Sequence, residues 1–256
     1  MFEQERLDIL SHIKTNISPT IYIHQELAST NTVAKQLASG CPNYTVVIAK
    51  SQTSGYGRFG RSFESPVGGL YMSIVLKGQE YSNISLTAHV ACAVCQALDN
   101  IISKPICIKW INDIIIERRK VCGISCESRR DTSGNAQWFV VGIGININDN
   151  LGDISPIILS HITTLSDHTN ATINYHRLVA NIIDNISKLP QDNTQLFANY
   201  SQRIPFWGED IQVHEQGGST YTAIARHINL KGQLIVEYEG NLLALDSQQV
   251  STTIHK

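Results

Sequence analysis

Between Gln52 and Tyr71 the chain reads QTSGYGRFGRSFESPVGGLY, a basic stretch punctuated by glycine and set between two β-branched runs, TVVIAKSQ and LYMSIVLK. Such flanks are restrictive, because the loop must hand the chain from one strand to another. Gly55, Gly57 and Gly60 satisfy G-x-G-x-x-G, but a dinucleotide-binding turn opens a helix, and here Ser65-Pro66 and Gly68-Gly69 come next. A protein kinase's glycine loop does run from strand to strand, with Lys77 placed to imitate its lysine. Neither H-R-D nor D-F-G occurs later, and no P-loop G-K-[ST] is present. Glycines at 55, 57 and 60 let the backbone take φ > 0 and present N–H groups to a ligand, while Arg58 and Arg61 add fixed positive charge. The stretch suits a polyanion, although a Gly-rich segment between strands can also be a plain connection.

Charge narrows the partners. Lys and Arg number 20 against 22 Asp and Glu, a formal net charge of −2, with no long basic run. That argues against nucleic acid, whose phosphates want a basic face. The opening MFEQERLDILSHIK is charged and amphipathic without a signal peptide's apolar centre, and no later run approaches a membrane span, so a soluble cytoplasmic protein with no membrane partner is expected. Cys41, Cys92, Cys95, Cys107, Cys122 and Cys126 lie mostly in apolar runs and read as small core residues of a reducing compartment. Cys92 and Cys95 form C-x-x-C inside the helical-looking HVACAVCQAL without a second ligand pair, which favours packing over zinc or redox work.

Periodicity predicts a helix over 3–16, a strand over 21–27, and a helix in TVAKQLAS, with Ser29, Thr30 or Asn31 as its N-cap or as donors to a polar ligand head. A core helix is expected over 83–102, with His89 a satisfied or exposed histidine. ICIKWINDIIIERRKVCGISCES reads as a short strand ending at Lys109-Trp110, then a hairpin with arms 112–117 and 120–127 turning at Arg118-Arg119. In that register Asp113 and Lys120 share a face on the order of 13 Å apart, too far for an ion pair unless the turn is shifted. Lys109 and Asp113 adjoin apolar runs, where a charge needs a partner. QWFVVGIGIN, 137–146, reads as a buried strand whose Gly142 and Gly144 mark a close approach. Loop with a short helix is expected over 147–172, then helices over 174–187 and 194–201 with Pro190 between them.

Length allows one large domain or one with a small appendage. Beyond Pro205–Gly208 about five short strands separated by Gly or Asn turns suggest a small SH3-type β-barrel, with no evident chemistry. The expected division is 1–205 and 206–256.

With these segments placed, the chain resembles the biotin protein ligases, or biotin–[acetyl-CoA-carboxylase] ligases, in four ordered pieces: STN at 29–31, QTSGYGRFGRSFESPVGGLYMS at 52–73, KWINDIIIERRKVCGI at 109–124 and GIGININ at 142–148. The resemblance implies an α+β fold, a mixed-sheet catalytic domain followed by the SH3-like barrel, and a two-step reaction. Biotin's carboxylate attacks the α-phosphorus of ATP, giving biotinyl-5′-AMP, and a lysine of a biotin carboxyl carrier protein then takes the biotinyl group. Two anions must meet, so positive charge has to be fixed beforehand.

Carried over by motif, Arg58, Lys120 and Asp113 are the implied catalytic residues, with Asp113 a proton acceptor for the incoming lysine or a Mg²⁺ contact. Ser29, Thr30, Asn31, Gln52, Gly55, Tyr56, Gly57, Arg58, Lys120 and Gly123 are implied for biotin. Arg58, Arg61, Phe63, Lys109, Asn112, Lys120, Gly142, Gly144 and Asn146 are implied for ATP, Phe63 stacking on adenine. Tyr56 stands where many relatives have arginine, Ile111 replaces the proline of KWPND, and Phe63 a common tryptophan. The resemblance also implies a monomer or homodimer acting on the carrier of acetyl-CoA carboxylase or a related carboxylase, with no room for an N-terminal DNA-binding domain. Rival readings are a lipoate or octanoate ligase or transferase, whose R-R-x-x-G-G motif is missing, and a non-catalytic biotin-binding protein.

Overall fold

The computed structural model describes residues 2–78, 83–148, 154, 156–188, 192–247 and 249–254. In chain order the elements are α1 (Glu3–Ser11), β1 (Thr20–Leu27), α2 (Thr30–Leu37), β2 (Thr45–Gln52), β3 (Leu70–Leu76), α3 (Asn83–Leu98), β4 (Cys107–Lys109), β5 (Asp113–Ile116), β6 (Arg119–Arg130), β7 (Ala136–Ile145), α4 (Pro156–Leu159), α5 (Tyr175–Ser187), α6 (Asn193–Gln202), β8 (Asp210–Glu215), β9 (Thr220–Ile228), β10 (Leu234–Tyr238), β11 (Asn241–Leu245) and β12 (Val250–Ile254).

The first seven strands make one mixed sheet in the order β1-β2-β3-β7-β6-β5-β4. β1 and β2 pair in parallel because α2 crosses over between them. The other pairs are antiparallel; β2–β3, β4–β5, β5–β6 and β6–β7 are direct returns of the chain, while β3 pairs with the distant β7. Alternation along β2 sends Val46 and Ile48 to one face and Val47 to the other. Val47 clusters with Ala34 of α2, Ala38 just beyond it, and Val75, Trp138 and Val140. The opposite face is covered by α3, which packs on α5 and α6 and is itself buried almost all round, from Leu86 to Leu98. Cys92 and Cys95 are free thiols in that helix, and burial raises both pKa values, Cys92 to about 11. His89 is buried there with Nε2 3.0 Å from the Ile186 carbonyl.

Two caps follow the expected chemistry: Asn174 Oδ1 accepts from Arg177 N at α5, and Asp192 Oδ1 from Thr194 N at α6. α1 stops at Ser11, short of the expected residue 16, because the chain after it is held by the buried Asp184 of α5. That carboxylate accepts from the amides of Lys14 and Thr15 and from the Thr15 hydroxyl. In the segment expected to be loop with a short helix, α4 and a 3-10 turn at Ser166–His168 are seen. Pro190 and part of that segment lie outside the described residues. Among the described residues no helix is long and apolar enough to cross a membrane.

The last five strands form an antiparallel sheet in the order β11-β10-β9-β8-β12, in keeping with the five short strands expected beyond Gly208. It is fastened to the first sheet by Trp110, whose Nε1 donates to the Gly232 carbonyl at 3.0 Å and whose own carbonyl accepts from the Thr252 hydroxyl at 3.3 Å. Gly232 has φ +78, and its turn lies so close to Ile84 and Phe197 that a Cβ would collide with both.

Candidate active site

One cavity runs from the start of α2, under the glycine loop, to the β5–β6 hairpin and β12. At its inner end Ser29, Thr30 and Asn31 are buried. Ser29 holds the N-cap position of α2 but makes no side-chain capping bond. Gln52 does that work from β2: its Oε1 accepts from the Thr30 amide at 2.8 Å and the Thr30 hydroxyl at 3.1 Å, while its Nε2 donates to Ser65 Oγ at 2.8 Å. The Ser73 hydroxyl lies 2.8 Å from Thr30 Oγ1 and 2.6 Å from Asn31 Oδ1, and Asn31 Nδ2 donates to Ser125 Oγ at 2.9 Å. These mostly buried polar groups are bonded to one another, which fixes their directions.

The hairpin differs from the expected register. It turns at Glu117-Arg118, both at positive φ (50° and 63°), one residue earlier than predicted, and a bulge between Ile114 and Ile115 breaks the pairing. The two-residue turn with both residues left-handed matches the strand twist, and the bulge re-aims Lys120. Asp113 pairs with Gly123 across the strands, so Lys120 reaches back and its Nζ stands 2.8 Å from Asp113 Oδ1. Lys109 Nζ lies 3.3 Å from Oδ2 of the same carboxylate. Burial pushes the Asp113 pKa up, but Lys120 and Lys109 offset this and hold it below the ordinary carboxylate value.

The glycine loop is itself a narrow hairpin. Gln52 N donates to Ser65 O, Phe63 N to Gly55 O and Gly57 N to Arg61 O. Its amides are therefore partly spent inside the loop, and of the three glycines only Gly60 has positive φ (70°), alongside Phe59 (59°). Gly55 serves close approach instead, since a Cβ there would sit 2.6 Å from the Phe63 carbonyl. Arg58 Nη1 donates to Asn112 Oδ1 at 2.9 Å, and its Nη2 to the Ser247 carbonyl and, at 3.3 Å, to the Val250 carbonyl. Burial draws this guanidinium below its ordinary pKa, with Asp113 opposing and Arg61 adding to the shift. Arg61 donates to Ser251 Oγ at 3.2 Å. The C-terminal sheet, expected to carry no chemistry, thus anchors both loop arginines, and Ser251 and Thr252 line the cavity.

The cavity collects Ser29, Thr30, Asn31, Gln52, Tyr56, Gly57, Arg58, Arg61, Phe63, Lys109, Asn112, Asp113, Lys120, Gly123, Gly142 and Gly144. Gly55 and Asn146 are not in its wall. Asn146 is buried and ties neighbouring segments together, donating from Nδ2 to the Thr163 carbonyl and from its amide to Val121 O. Gly142 and Gly144, expected together at the nucleotide, lie at different neighbours two residues apart on one face of β7. A Cβ on Gly142 would strike Asn31 Oδ1, and one on Gly144 would stand 2.5 Å from the Phe63 ring. Phe63 rests over Gly144 and Gly123, edge-on to Tyr71 at 6.4 Å, with Lys120 Nζ 5.5 Å from its ring centre. Motif reading missed Ser73, Ser125, Glu127, Ser251 and Thr252. A hydroxyl inside the apolar run LYMSIVL was the available signal for Ser73, because a buried hydroxyl must find a partner.

Known proteins resemble this chain in sequence and in fold. A family model described as the biotin/lipoate A/B protein ligase family matches residues 24–146. The bifunctional ligase/repressor BirA of Bacillus spizizenii is 31% identical over 178 residues, 67% of this chain and 54% of that protein. The biotin–[acetyl-CoA-carboxylase] ligase of Mycobacterium tuberculosis is 27% identical over 219 residues, 80% of this chain and 77% of that one. The chain spans about half the length of the Bacillus relatives it matches. Among solved structures, a biotin protein ligase from Aquifex aeolicus in complex with biotin and ATP superposes with a TM-score of 0.79 at 24% identity, covering 91% of this chain and 98% of that one. Residues 24–146 thus match the biotin/lipoate A/B protein ligase family, and the relatives that the chain is similar to are biotin protein ligases.

Proposed function

We propose that the protein activates biotin with ATP as biotinyl-5′-AMP and transfers the biotinyl group to a lysine of a biotin carboxyl carrier protein. The reading is carried by one observation: Lys120, Lys109 and Arg58 gather around Asp113 and Asn112 at one end of a cavity whose other end is a fixed network of amides and hydroxyls. A ureido ring offers donors and acceptors to the network of Thr30, Asn31 and Gln52, with Ser29 beside it. Biotin's carboxylate then falls among the cations, where the α-phosphate must also come. The carboxylate oxygen bonds to the α-phosphorus as the bond to the β-phosphate bridge breaks and pyrophosphate leaves. Charge already fixed in place lowers the barrier to this meeting of anions. In the second step the carrier's amine attacks the biotinyl carbonyl and AMP departs.

In this reading Asp113 is a positioning residue. A carboxylate whose pKa is held down by two ammonium groups is a weak proton acceptor, so it anchors Lys109 and Lys120. Both its oxygens face lysines, and among the described residues no cluster of three metal-ligating side chains exists, so the residues present do not form a resident Mg²⁺ site. A magnesium ion would enter as part of the nucleotide substrate. Phe63 must lift from Gly144 to admit adenine, after which its ring is free to stack on the base. The division into a catalytic 1–205 and an SH3-like 206–256 unit, and a cytoplasmic setting, belong to the same proposal. Biotin-dependent exchange of labelled pyrophosphate into ATP tests it: exchange is expected with biotin, and exchange only with lipoate, or none at all, overturns it.

A further inference from the structure

Glu127 lies on β6 two residues beyond Ser125, on the same face of the sheet and next to the ligand-head network. Its Oε1 accepts from the Tyr56 hydroxyl of the glycine loop at 3.0 Å and stands 3.4 Å from Asn31 Nδ2. Its Oε2 pairs with Lys35 Nζ of α2 at 2.8 Å, and that ammonium lies 5.2 Å over the Tyr56 ring. One carboxylate thus gathers a donor from the loop, one from α2, and one from the asparagine at the closed end of the cavity. None of these contacts is needed to bury an apolar surface, and the Lys35 and Glu127 side chains remain about one-third exposed.

We propose that Glu127 is a positioning residue whose bond to Tyr56 latches the loop shut and couples that closure to the seating of Asn31. The inference rests on the biotin-activating reading above. With Asn31 drawn into place by Ser73 and Ser125, Oε1 is presented to the Tyr56 hydroxyl; if Asn31 moves, the carboxylate is free to follow it or Lys35, and the loop loses its tie. The ligand's head and the lid over its reactive end are then linked through one side chain. Tyr56 offers the Glu127 carboxylate one neutral donor where an arginine would offer a cationic fork of two, so an arginine at 56 strengthens the latch.

The test uses the full chain. Preformed biotinyl-5′-AMP is expected to escape about threefold to tenfold faster from Tyr56→Phe and from Glu127→Gln, the cost of one hydrogen bond to a carboxylate in a partly solvated site. The double variant should leak no faster than either single one, and Tyr56→Arg should leak more slowly than the parent while Glu127 is intact. Unchanged escape from Tyr56→Phe, or effects that multiply in the double variant, overturns the latch. Hydrogen exchange of the unliganded protein over residues 53–62 reads the same contact without turnover. It should speed up in both single variants, and no change there also overturns the proposal. Absence of biotin-dependent pyrophosphate exchange in the parent protein would instead reject the functional reading, while the loop's protection still reports on the latch.

Discussion

Lys120 and Asp113 meet at 2.8 Å across a hairpin whose ideal register would hold them apart. The bulge at Ile114/Ile115 and the early turn at Glu117-Arg118 bring them together. An ammonium is thereby aimed into the cavity and kept there by a carboxylate that is itself shared with Lys109.

Lys120→Ala should lower biotin-dependent pyrophosphate exchange by about 10²- to 10³-fold, the usual effect of removing one preorganised charge from a transition state. The far-ultraviolet circular dichroism should be unchanged, since Asp113 keeps Lys109. Exchange within tenfold of the parent protein would remove Lys120 from the chemistry.

Asp113→Asn should destabilise the fold by about 1–3 kcal/mol at neutral pH, because two lysines then face each other without a counter-charge. The sign of the pH dependence follows from the lowered pKa of Asp113. A depressed carboxylate contributes its full stability above the unfolded value, about 3.9, and loses it as pH falls through the folded one. The gap in Tm between parent and variant should therefore stay constant above about pH 5 and close below about pH 4. A gap that widens on acidification would contradict the assignment.

Arg58→Gly removes the bonds to Asn112 and to the Ser247 and Val250 carbonyls together. The adenylate should escape to label unrelated lysines in solution, and hydrogen exchange at β12 should increase because the C-terminal sheet keeps only the Arg61–Ser251 tie to the loop. Retention of the intermediate with unaltered protection of β12 would show that the loop does not depend on this arginine.

Gly142→Ala forces a methyl into Asn31 Oδ1 and to within 2.7 Å of Ser125 Oγ. The half-saturating biotin concentration should rise by at least about tenfold, the cost of leaving one or two buried polar groups misplaced, with a much smaller change for ATP. Equal changes for both ligands would mean that the network around Asn31 is not the biotin end of the cavity.

Most of the architecture was legible in the residues. Alternating and β-branched runs marked the strands, periodicity marked the helices over 174–187 and 194–201, and the strand–loop–strand setting of the glycines separated this loop from dinucleotide-binding turns. The site was harder to read. Ser29 looked like a helix cap, yet Gln52, distant in sequence, satisfies the Thr30 amide. Asn146 looked like a ligand neighbour and is a buried strut.

By itself the chain's order of residues determined most strands and helices, the basic loop between β2 and β3, and the resemblance to the biotin protein ligases, because local period, turn chemistry and contiguous motifs need no knowledge of distant partners. Folding alone decided that Asp113 binds two lysines, that Arg58 and Arg61 lean on the C-terminal sheet, and that Glu127 reaches both Tyr56 and Asn31. Each of these depends on a bulge, a register or a long-range crossing. A shift of one residue in any of them would turn the same side chain to the opposite face of the sheet.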